Sequence, residues 1–296
     1  MYLEWESFYI GTICITLITC LLHMVGIILL FRMRNEFFNQ ITIMINLALT
    51  ETMFCLNLCI EFLCKIIMNR EDWVTLIYLK TFLLTLDMLT FTVNKFVVLY
   101  LIIDRFLDIK LHMRYFLYFK QSTVTNTLIL MWITGTLYAF IQGALFNRKI
   151  TGENKAWSTH GFVCMTLDII ITLTTLPTYG YFFYKTRTMV KNDNSQREPG
   201  RRKSLNKHLF KFAVPFLILA TYLIFNVTSS FLSVSFTYHK KIILLQMAWI
   251  TRVLGFLTDA LLYIFLQKSV RAFIKSKCRW RRQRNEVSAS ETSVGS

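Results

Sequence analysis

Asp87, Asn94 and Arg105 are separated by seven and then eleven residues, so on a helix they return to nearly one face. The stripe they form would run about 27 Å along the axis at 1.5 Å per residue. Lys95 points about a quarter turn away from it. Arg252, Asp259 and Tyr263 repeat the pattern at spacings of seven and four, and Glu51 and Glu61 add acids on a third segment. Such groups can pair with one another, hold a charged ligand, or act as a breakable switch. Two readings of the set follow. In the plainer one, Asp87 pairs with Arg252, and Lys95 with Glu51 or Asp259. In the functional one, the Asp87–Arg252 end lines a ligand pocket and the Arg105–Tyr263 end forms a switch.

The segments that carry these groups are long and apolar. The chain has 296 residues and is 54% hydrophobic, more than a soluble core of this size needs. Seven blocks are long enough to cross a bilayer: 8–31, 41–64, 76–103, 122–146, 162–184, 212–235 and 242–267. Continuous apolar runs without period-two alternation indicate helices and not a barrel. A charge inside such a block costs about 2.5–3.5 kcal/mol at mid-membrane, so it should face the bundle interior.

The blocks predict an all-α fold, a seven-transmembrane bundle over 8–267. Residues 1–7 form a short extracellular N-terminus, 268–284 an amphipathic basic eighth helix on the cytoplasmic membrane surface, and 285–296 a disordered Ser/Thr-rich tail. The first block lacks a basic leader and reads as a signal anchor. Glu4 and Glu6 precede it and Arg32 and Arg34 follow it, which places the N-terminus outside and the C-terminus in the cytoplasm. The predicted cytoplasmic segments hold 23 of the 33 Lys and Arg, so the net charge of +16 describes a face toward anionic lipid and not a nucleic-acid surface.

Seven cysteines are present. Cys14, Cys20, Cys55 and Cys59 lie within spans and read as core residues. Cys64 and Cys164 lie near the outer ends of their spans, where either a disulfide or two thiols would fit. Cys278 follows the basic helix and is a candidate lipidation site or a free thiol. No nucleophile–base set or His-rich metal cluster occurs, so an enzyme is not expected, and His23 within the first span reads as a polar contact.

The order and placement of these residues resemble the rhodopsin-like (class A) G-protein-coupled receptors, of which the chain looks like a divergent member. Asp104-Arg105-Phe106 resembles the family's Asp-Arg-Tyr motif, and Leu107 to Tyr115 resembles its second intracellular loop. Asn46-Leu47-Ala48-Leu49-Thr50-Glu51 resembles Asn-Leu-Ala-x-x-Asp, with Glu for Asp. Trp132 and Pro177 suit the fourth-helix tryptophan and the fifth-helix proline. Asp259-Ala260-Leu261-Leu262-Tyr263 resembles Asn/Asp-Pro-x-x-Tyr. The chain departs from the family at Lys80, where a cysteine is expected, and at Ala260. It also lacks Cys-Trp-x-Pro and an acid at the opening of the sixth span.

The resemblance implies a plasma-membrane receptor that senses a small extracellular ligand and activates a heterotrimeric G protein. Asp104 would hold Arg105 at rest as its sole anionic restraint, and the freed Arg105, with Tyr263, would receive the G protein. That restraint implies raised basal signalling. Asp87, Arg252 and Trp249 would bind the ligand, with Glu61, Asp168 and Gln246 at the rim. Asp87 suits a cationic ligand and Arg252 an anionic one, and sequence leaves the two open. Glu51, Asn94 and Asp259 resemble a mid-membrane sodium site, the one cofactor implied, with the Lys95 ammonium as the alternative occupant. Ser290, Ser293 and Ser296, once phosphorylated, would suit arrestin. The alternative reading is a seven-helix transporter or channel that uses the polar axis as its pathway.

Overall fold

The computed structural model describes residues 2–32, 38–67, 77–111, 115, 119–147, 152–194, 216–239 and 242–265. They form seven long helices, and no strand occurs among them. These are α1 Tyr2–Arg32, α2 Phe38–Ile67, α3 Ile77–Leu111 and α4 Gln121–Asn147, followed by α5 Gly152–Asn194, α6 over 216–239, and α7 Ile242–Phe265. All seven are long and apolar enough to cross a membrane. The chain thus has the build of a multi-pass membrane protein. Helices are the expected outcome, because a spanning segment must satisfy its own backbone hydrogen bonds. Many threonines do likewise with their hydroxyls. Thr16, Thr90, Thr175 and Thr221 each donate to a carbonyl one turn back, which lets a polar side chain sit in an apolar helix.

The predicted eighth helix, the tail and Cys278 lie outside the described residues, as do Ser290, Ser293 and Ser296. Two boundaries differ from the apolar runs. α1 is helical from Tyr2, so the residues expected to form a short N-terminus ahead of the first span begin the first helix. α5 starts at Gly152, ten residues before the apolar block, and runs on to Asn194. Hydropathy marks where a helix is greasy, whereas a helix stops only where its backbone is interrupted. Pro177 lies within α5 without ending it.

α1 packs on α2, α2 on α3, α3 on α4 and α5, α5 on α6, α6 on α7, and α7 returns to α1. The spans of α2 and α3 are the most enclosed, 72% and 61% buried, whereas that of α4 is 22% buried. The two enclosed helices carry most of the charges that lie within the seven spans, as burial of charge away from lipid requires. Exposed Leu21, Phe140 and Leu173 form parts of the apolar outer surface. α4 approaches α3 closely through two glycines. A Cβ on Gly135 would overlap Val93, and one on Gly143 would overlap Thr85.

α6 contains a π-helical turn, Tyr222–Val227. The extra residue shifts the register of the helix face. Tyr222 and Asn226 are both buried within it, and Phe225 lies against Gly255 of α7.

Candidate functional site

Near the C-terminal end of α3, Asp104 and Arg105 are both buried. Arg105 Nε donates to Asp104 Oδ2 at 2.9 Å, and Nη2 donates to the same oxygen. Nη1 donates to Gln40 Oε1 of α2 at 3.2 Å and lies 3.5 Å from Asp108 Oδ2. Asp104 is therefore not the sole anionic restraint on Arg105. Asp108, one turn further along α3, is a second. The i,i+3 spacing from Arg105 to Asp108 was present in the sequence and would have given it.

Tyr115 completes this inner site by donating its hydroxyl to Asp104 Oδ1. Its ring stacks on Phe119 at 5.1 Å, and Asn39 of α2 donates to the Phe119 carbonyl. Burial first, and then the neighbouring Asp104 carboxylate, push the Tyr115 phenol above its ordinary range. Tyr263 does not join the group by any hydrogen bond. It packs against α1, with its ring centroid 6.0 Å from that of His23 and its Cβ 3.6 Å from where a Cβ on Gly26 would stand.

The middle layer brings Glu51 together with Asn94 and Asp259. Glu51 and Asp259, both buried, interact through their carboxyl groups. Asn94 donates to Thr50 Oγ1 at 3.1 Å. His23 of α1 joins them, with Nε2 3.3 Å from Glu51 Oε2 but outside hydrogen-bond geometry. Sequence reasoning left His23 as a lone polar residue because nothing in one chain shows that α1 faces α2 at this depth.

Lys95 takes no part in that layer. Its ammonium donates to Asp168 Oδ1 of α5 and to the Tyr222 hydroxyl at 3.2 Å, and Tyr222 donates to the same Asp168 oxygen at 2.7 Å. The expected pairing of Lys95 with Glu51 or Asp259 is thus corrected, and Lys95 does not occupy the sodium-like site. The quarter-turn offset from the Asp87 stripe carries Lys95 toward α5 and α6. Asp168, expected at a pocket rim, is buried as its counterion. The π turn brings Tyr222 to the pair, and no sequence pattern used here signals such a turn.

Toward the N-terminal end of α3, Asp87 and Arg252 do not form an ion pair within 4 Å, contrary to the plainer expectation. Arg252 is 5% exposed. Its guanidinium lies 3.6 Å from the Phe91 ring centroid and 5.5 Å from that of Phe54, while Nε has no hydrogen-bond partner. Asp87 is partly buried one turn outward from Phe91. Trp249 packs edge-on against Phe62, with the Lys65 ammonium 5.2 Å from its ring and paired to Glu61. It belongs to the outer aromatic cluster. Cys64 and Cys164 are free thiols, and Cys164 lies against His160.

The second-helix motif also gains a structural meaning. Trp132 of α4 donates its indole hydrogen to Asn46 Oδ1 at 3.0 Å, which ties α2 to α4. Among the described residues, no three His, Cys, Asp or Glu are grouped so as to hold a metal ion. No protein-family model matches this chain, and no curated protein sequence matches it.

Proposed function

We propose that the chain is a plasma-membrane G-protein-coupled receptor of the rhodopsin-like kind, with its N-terminus outside and its C-terminus in the cytoplasm. It takes a small ligand in the outer half and activates a heterotrimeric G protein at the inner end. One observation carries the reading. A buried arginine near the C-terminal end of α3 is held by two acids of its own helix and a glutamine of α2. Charge-assisted contacts of that kind are strong enough to define a resting state and local enough to break when a helix moves. The sequence resemblance, which spans nearly the whole chain, gives that arginine its role.

Glu51 and Asp259 suit a sodium ion as the mid-membrane group. Two buried acids side by side repel unless a proton or a cation stands between them. Glu51 Oε2 and Asp259 Oδ1 both lack hydrogen-bond partners, and oxygen donors suit a hard cation. Asn94 and Thr50 would supply the neutral part of the site.

The test is nucleotide exchange. The full chain in lipid nanodiscs is mixed with representative heterotrimeric G proteins, and exchange is followed with and without a ligand library. Exchange that depends on the chain and is lost in Arg105→Leu supports the receptor reading. Absence of exchange with every G protein, together with ion or solute flux in liposomes, would favour the transporter or channel.

A further inference from the structure

Three buried Lys or Arg side chains lie in the described bundle: Lys95, Arg105 and Arg252. Lys95 has Asp168, and Arg105 has Asp104 and Asp108. Arg252 alone among them has no carboxylate within 4 Å, and its Nε is unpartnered. The Phe91 face beneath the guanidinium offsets part of the burial cost but supplies no counter-charge.

Asp87 is the matching opposite. It has no ion pair or hydrogen bond among the described residues, and it stands on the helix whose Phe91 carries the guanidinium. Asp168 is already balanced by Lys95. Asp87 precedes Phe91 by four residues on α3, so it stands one turn, about 6 Å of rise, outward of the ring that carries the guanidinium. The outer site therefore presents one positive and one negative group that are not joined to each other.

Charge balance selects the ligand. A simple amine on Asp87 would leave Arg252 buried without a counter-charge. A simple anion on Arg252 would bring a second negative charge beside Asp87. A molecule with both charges satisfies each residue and leaves the site neutral, which a low-dielectric interior favours. We infer that the ligand is a small zwitterion whose carboxylate sits on the Arg252 guanidinium and whose ammonium sits on the Asp87 carboxylate. This rests on the receptor reading only in taking the outer half as the ligand site.

The probe is a mixture of the free amino acids, compared with matched mixtures of the corresponding amines and of the corresponding carboxylic acids. Each is added to the purified full chain in nanodiscs, and the thermal unfolding midpoint is read. The expected result is a rise with the amino acids and none with either single-charge mixture. Arg252→Gln and Asp87→Asn should each weaken the response by about thirtyfold or more. A rise with the amines alone or the acids alone, a rise that survives both substitutions, or no rise with any mixture overturns the inference. The three mixtures on the unaltered chain decide the matter even where a variant does not fold. Ligand-free nucleotide exchange is read in parallel. Exchange without an amino-acid response removes the zwitterion and keeps the receptor, whereas a response without exchange keeps the zwitterion and removes the coupling.

Discussion

Tyr115, beyond the C-terminal end of α3, donates its hydroxyl to the same Asp104 carboxylate that grips Arg105. A tyrosine in the connection to α4 thereby helps to hold the arginine in place. Tyr115→Phe removes a hydrogen bond to a charged group, a loss of about 1.5–3 kcal/mol. Ligand-free nucleotide exchange should rise in this variant. The phenol's raised pKa also sets a pH window. Its stabilising contribution is complete below the ordinary tyrosine value of about 10 and is lost as pH rises above it. Alkaline unfolding should therefore lose its Tyr115-dependent part in the Phe variant; identical alkaline profiles for the two proteins would argue against the contact.

Asp108 gives Arg105 a second acid, which removes the premise for strong basal signalling. The unaltered chain should exchange nucleotide slowly without ligand. Asp108→Asn should raise that rate, and a double change with Asp104→Asn should raise it further than either alone. Equal rates in all four proteins would show that these acids do not restrain the arginine.

The Lys95–Asp168–Tyr222 group joins α3, α5 and α6 in an enclosed interior. Lys95→Met strands the aspartate and should cost about 3–5 kcal/mol. The double change Lys95→Met with Asp168→Leu should recover most of that loss, because it removes both charges. Denaturation midpoints in detergent measure this, and a double variant no more stable than the single one would contradict it.

Sodium should raise the unfolding midpoint of the full chain relative to an equal concentration of a bulky organic cation, through Glu51 and Asp259. Asp259→Asn should abolish the difference. A midpoint indifferent to sodium leaves those two acids to share a proton.

Gly135 and Gly143 set the distance between α4 and α3. Gly135→Leu would force α4 away from Val93 and should cost about 1–3 kcal/mol. Gly11→Ala is the control, since nothing lies within 4 Å of its added Cβ. A similar midpoint in both variants would place the α3–α4 contact elsewhere.

Length and periodicity in the sequence sufficed for the seven helices and for a stripe on α3 from Asp87 to Arg105, whereas the grouping of Glu51, Asn94 and Asp259 was implied only by the resemblance. These features are local or follow from a single rule, that charge in an apolar helix turns away from lipid. Counterion choice is not local. Lys95 had three acids within plausible reach, and only the packing of α5 against α3, with the π turn of α6, selected Asp168. Arg252 had an acid of the right sign at the right depth, yet its side chain settled on Phe91, because a guanidinium can trade a distant carboxylate for an aromatic face at contact. Helix spacing says which side a residue faces; which neighbour it meets depends on rotations and offsets between helices, and those exist only once the bundle has packed.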